Sequence, residues 1–161
     1  MTLHCRTKGA ARAISLLVAL LLMVSSIYGK HRKSEEPPFE YVAGTENVAR
    51  GCGGKLEVLK EGFTFVCPTA TVHLPFSAVT LMQFRPDVSP EVMRMKIPWK
   101  VTPQITRLKE NKYFTVVSNE QGKLRVVVLR VDENNMRPYF AEIELQSGKS
   151  VQEFRSFGEF D

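Results

Sequence analysis

Cys52 and Cys67, fifteen positions apart, are the residues whose type and spacing point most directly to chemistry. Two such thiols can be oxidised to a disulfide or deprotonated to hold zinc. A structural zinc site asks for four ligands, and past residue 29 only His31 and His73 stand beside the pair. The third cysteine, Cys5, lies in a leader-like N-terminus, so an even pair is left in an oxidising route and a disulfide is expected. Closing a loop of this length is worth about 3 kcal/mol in the chain-entropy model.

Other chemistry is sparse. His73, between Val72 and Leu74, reads as a strand histidine satisfied by a neighbour rather than a general base. The sequence has no glycine-rich phosphate loop after a strand, no nucleophile elbow and no metal-ligand cluster. Its acidic residues are scattered, so neither an enzyme nor a cofactor is expected. Contact chemistry remains. Trp99, between Pro98 and Lys100, and the methionines Met82, Met93, Met95 and Met136 are types enriched at interfaces, although they serve equally as core and edge packing. Trp99, Lys100 and His73 are the candidate partner contacts, with the Thr71–Leu74 stretch between two prolines as a candidate sheet edge.

The elements that must position these residues read as short strands. Lys112–Ser118 and Lys123–Val131 around Asn119-Glu-Gln-Gly122 form a hairpin apolar on both faces, and hence central. With a four-residue loop, Ser118 faces Lys123 and Val117 faces Leu124. Tyr139–Leu145 alternates Ala141, Ile143 and Leu145 against Glu142 and Glu144, which predicts a third strand of a meander. Lys55–Lys60 and Phe63–Cys67 around Glu61-Gly62 predict a hairpin pairing Val58 with Phe65 and Leu56 with Cys67. That register leaves Cys52 roughly 13 Å along the strand from Leu56, too far for a bridge. Gly51-Cys-Gly-Gly54 must therefore bend the chain. Ala78–Phe84 reads as a strand with Val79 and Leu81 on one face and Thr80, Met82 and Phe84 on the other. Ser89-Pro90-Glu91 starts a helical turn, or the segment to Ile97 is a strand; both remain open.

Around this core, residues 1–29 have the parts of a secretory signal: Arg6, Lys8 and Arg12, an apolar run from Ala13 to Val24, and small residues at its end. An uncleaved signal anchor is the alternative. Residues 30–44, with Lys30-His-Arg-Lys33 and Pro37-Pro38, read as a flexible arm. Residues 45–150 are expected to form one β-rich domain, and 151–161 a tail or edge strand. Hydrophobic residues at 43% and charged ones at 24% are ordinary globular composition. The formal charge of +5 falls to +2 without Arg6, Lys8 and Arg12, which removes the argument for a nucleic-acid partner. No Asn-x-Ser/Thr acceptor occurs.

The expected fold is all-β, a small antiparallel sandwich or open barrel. An immunoglobulin-like topology stays open, although Trp99 lies beyond both cysteines rather than between them. The expected function is a secreted, non-enzymatic β-domain that binds an extracellular or membrane protein or a cell surface, touching membrane only through that partner or an uncleaved signal. The alternative is a carrier of a small apolar ligand, or a hydrolase, using the domain interior.

Overall fold

The computed structural model describes residues 38–104 and 111–154. The expected signal (1–29), most of the arm, part of the Gln104–Lys109 stretch and the end of the tail lie outside the described residues. The elements are β1 (Phe39–Gly44), β2 (Cys52–Leu59), β3 (Gly62–Cys67), β4 (Ala70–Pro75), β5 (Val79–Arg85), α1 (Pro90–Arg94), β6 (Asn111–Glu120), β7 (Lys123–Asp132), α2 (Glu133–Ser147) and β8 (Gln152–Glu153).

The strands are hydrogen-bonded in the order β4-β3-β2-β1-β7-β6-β5-β8. All neighbours are antiparallel except β5 and β8, which run parallel. This is the expected mostly-β architecture, but its order is two meanders joined at β1–β7 rather than the Greek key of an immunoglobulin sandwich. The sheet turns back over itself: Phe63 on β3 meets Phe114 on β6, ring centroids 5.8 Å apart, although three strands separate them in the order.

β1 corrects the end of the 30–44 arm reading, at residues 39–44. It sits between β2 and β7, with Phe39, Tyr41 and Ala43 fully buried. Their spacing of two is a strand signal, obscured in sequence by the charged and proline-rich residues just before it.

The turn residues shift both hairpins by two positions. Gln121 and Gly122 have φ of 53° and 84°, the paired positive angles of a two-residue turn matched to strand twist. Glu120 therefore pairs with Lys123, and Val117 with Val126 rather than Leu124. Leu59 pairs with Gly62 across the two residues Lys60 and Glu61, so Val58 faces Phe63 and Leu56 faces Phe65. A shift of two preserves which face each side chain occupies. In β5 an irregularity between Val79 and Leu81 puts Val79 on the same side as Met82 and Phe84, while Leu81 joins the opposite cluster.

Tyr139–Leu145 is helical, not a third strand. Asp132 caps α2 by accepting from the Asn134 N–H at 2.8 Å. Gly148, at φ 64°, ends it and donates to the Glu144 carbonyl. Met136, Tyr139, Phe140 and Ile143 form the stripe packed on the core, a spacing of three and four. Leu145, expected to be dry, is 82% exposed. The Ser89 stretch resolves as helix too: Ser89 accepts from the Val92 N–H at 3.3 Å, with Pro90 in the first turn.

Both faces of β6 and β7 are covered, as their apolar pattern requires. Phe114, Val116, Val127 and Leu129 enter the inner core. Tyr113, Val117, Val126 and Val128 pack outside it with Val88, Val92 and Ile97 from the β5–β6 connection.

At Gly54 the chain approaches so closely that a Cβ would lie 2.2 Å from the Val66 carbonyl oxygen. Gly54→Ala is therefore expected to cost about 3 kcal/mol or more, in the range of severe steric substitutions, and to lower the denaturant midpoint in urea unfolding accordingly.

Candidate functional site

The Cys52–Cys67 disulfide is present, with Cα atoms 6.1 Å apart. It is reached by a route the sequence only partly suggested. The two-position shift of the β2–β3 hairpin brings Cys67 nearer Cys52, and Gly53-Gly54 carries β2 from its partner β1 onto β3. The Thr69 hydroxyl lies 3.2 Å from the Cys52 sulfur.

His73 lies in β4 at the end of the strand order, with its side chain exposed. Its Nδ1 is 3.1 Å from the Thr64 hydroxyl, the separation that a nucleophile and base would adopt. The register runs Glu57↔Thr64↔His73, so the carboxylate lies beyond the hydroxyl and not behind the imidazole, where it would have to orient the ring. The pair is also exposed on the sheet face. It is a cross-strand polar contact of the kind worth about 0.2–1 kcal/mol.

Trp99 and Lys100 belong to a strap over the far end of β1. Lys100 donates its N–H to the Gly44 carbonyl at 3.0 Å, and Gly44 donates to Val101 at 2.9 Å. Trp99 is half-buried against the outer cluster. The Lys100 side chain is exposed near Glu46. Glu46 accepts from Arg125 Nε at 2.8 Å and from the Thr45 hydroxyl at 3.2 Å. Burial alone would raise its carboxyl, but the Arg125 guanidinium, the Thr45 hydroxyl and the Lys100 charge hold it below its ordinary value of 4.5. Tyr41 donates to the Glu46 carbonyl, and burial pushes its phenol up to about 12. The three predicted contacts therefore divide between two places: His73 on β4, and Trp99 with Lys100 at the end of β1.

Sequence reasoning missed an open groove of about 560 Å³ lined by Leu56, Glu57 and Val58 of β2 and Pro138, Tyr139 and Glu142 of α2. Its signal was the helical spacing in α2, masked by the short alternation around Ile143. A second opening of about 620 Å³ lies between the β4–β5 loop and the β6–β7 turn, lined by Ser77, Ala78, Asn119, Glu120, Gln121 and Lys123. Among the described residues no three His, Cys, Asp or Glu side chains come together as a metal site.

No protein-family model matches the chain, and no curated protein matches it either.

Because Trp99 is half-buried, Trp99→Ala should cost about 1–3 kcal/mol, below the range for a fully buried aromatic, as read by urea unfolding. Glu46 adds a pH signature. A carboxyl lowered by folding stabilises the protein above its unfolded value, and this is lost as pH falls through the folded one. The melting temperature should drop below about pH 4.5, and less steeply in Glu46→Gln.

Proposed function

We propose that the protein is an exported, non-enzymatic β-domain that binds another protein or a cell surface. The observation that carries this reading is the edge at β4. Among the described residues, Ala70–Pro75 pairs with β3 alone, and the strand holds no Lys, Arg, Asp or Glu. Edge strands are normally blunted by charge, bulges or proline, since their free N–H and C=O groups accept a further strand. Here the only such device is Pro75 at the strand's end. Strand addition, with Thr71 and His73 at the outer face, is the recognition mode such an edge supports.

The disulfide supports export, since such bonds persist in oxidising compartments. No helix among the described residues is long and apolar enough to cross a membrane. Packing favours a binding surface over an interior ligand site: Phe63 meets Phe76 at 4.7 Å and Phe114 at 5.8 Å between centroids, filling the space a carrier would leave open. The exposed Thr64–His73 pair likewise gives a hydrolase no enclosed site.

The test is a photo-crosslinking residue placed at position 71, or at position 123 as control, in full-length protein made by secreting cells. Position 71 should give a discrete adduct with an extracellular or membrane protein, His73→Lys in the same protein should abolish it, and position 123 should give none. Equal adducts from both sites, no adduct, or retention of the protein inside the cell would overturn the reading.

A further inference from the structure

Among the described residues the fold has a second strand edge. β2 pairs with β1 only at Cys52, Gly53 and Gly54, the last of these facing Phe39. From Lys55 to Leu59, β2 pairs with β3 alone among the described residues. Among the described residues the ladder stops at Phe39, which follows Pro38, and proline has no N–H to donate. Antiparallel pairing leaves alternate residues of an unpaired strand side with both N–H and C=O directed outward. This edge differs from β4 in having a roof. α2 passes beside it, and Pro138, Tyr139 and Glu142 form the opposite wall of the groove whose near wall is Leu56, Glu57 and Val58. Tyr139 is held in place by an edge-to-face contact with Phe39, centroids 5.1 Å apart, so the roof is tied to the strand that ends there.

The chemistry of the walls selects an occupant. Leu56 is buried and Val58 half-buried toward the core, whereas Glu57 is exposed on the outer face. Glu142 is exposed on α2. Among the described residues neither carboxylate forms an ion pair. A strand laid along β2 would place residues opposite Leu56 and Val58 into the apolar groove, and the residue between them beside Glu57. We infer that the groove between β2 and α2 binds an extended, basic and apolar segment of a partner protein by strand addition, in the pattern apolar–basic–apolar, with the cation held at the Glu57 and Glu142 rim. This rests on the reading of the protein as a binding module and adds a site and a partner chemistry to it.

The test uses the full-length secreted protein and a fluorescein-labelled peptide of sequence Leu-Arg-Val-Arg-Leu, with Leu-Glu-Val-Glu-Leu as control, followed by fluorescence anisotropy. The arginine peptide should bind, weaken with added salt, and slow hydrogen exchange of amides within 55–59. Both substituted side chains of Glu57→Lys/Glu142→Lys are exposed, so the fold should be kept. The variant should bind the arginine peptide about tenfold more weakly or worse, since like charges now face each other, and should gain affinity for the glutamate peptide. Thr71→Lys/His73→Lys should bind the arginine peptide as the parent does. Equal affinity for both peptides, affinity unchanged by the charge reversal, or sedimentation showing that a second copy of the chain covers this edge would overturn the inference. Those results would leave the crosslinking result at position 71 to decide the broader reading separately.

Discussion

The passage of β2 from one partner to another at Gly53-Gly54 is the constraint on which the rest of the fold depends. The first three residues of the strand lie against β1 and the last five against β3. A strand can change partners over so short a distance only where no side chain stands in the way, and at Gly54 the Val66 carbonyl already occupies the place of a Cβ. Gly62 makes the same allowance one strand further on, where a Cβ would lie 2.3 Å from the Leu74 carbonyl oxygen. The Cys52–Cys67 bond then ties the start of β2 to the end of β3, so the change of direction is fixed covalently as well as sterically. An entropic contribution of about 3 kcal/mol is a substantial part of the roughly 5–15 kcal/mol by which domains are commonly stable.

From that turn follow the enclosed core and the open edges. Because the sheet doubles back, Phe63 and Phe65 from one part meet Phe114, Tyr41 and their neighbours from the other, and the inner face becomes a single packed cluster. Among the described residues β1 pairs with β2 no further than Phe39 and Gly54, so the rest of β2 has no described strand on that side. α2 lies beside it, using Met136, Tyr139, Phe140 and Ile143 to complete the core. Lys149, just past the helix, donates to the carbonyls of Phe76 and Val79 at 2.8 and 2.6 Å, fastening the helix end to the β4–β5 connection. The groove is what remains between helix and strand. It is thus a by-product of how the core closes.

Much of the architecture was legible because side-chain alternation survives errors of register. The β6–β7 and β2–β3 hairpins were readable from their apolar faces, while the pairing depended on whether Gln121-Gly122 and Lys60-Glu61 formed two-residue turns, which alternation does not encode. β1 was hidden by its context, since Phe39, Tyr41 and Ala43 follow a basic and proline-rich run that dominates a local reading. α2 was mistaken because alternation and a helical stripe share Ile143, and the decisive partner, Met136, lay outside the window that looked like a strand. The disulfide was legible from cysteine count and compartment. The β2 groove was not, since it depends on where β1 stops and where a helix passes, two facts that no single segment carries.

The most direct measurement of the account is residue-resolved hydrogen exchange on the full-length, oxidised protein without any added partner. The pairing predicts slow exchange throughout β7, which has neighbours on both sides, and an alternating pattern in Lys55–Leu59 and Ala70–Leu74, with every second amide exchanging orders of magnitude faster than its neighbours. Uniform protection along either stretch would show that its edge is already occupied, and would contradict the claim that the fold presents open strand edges for a partner.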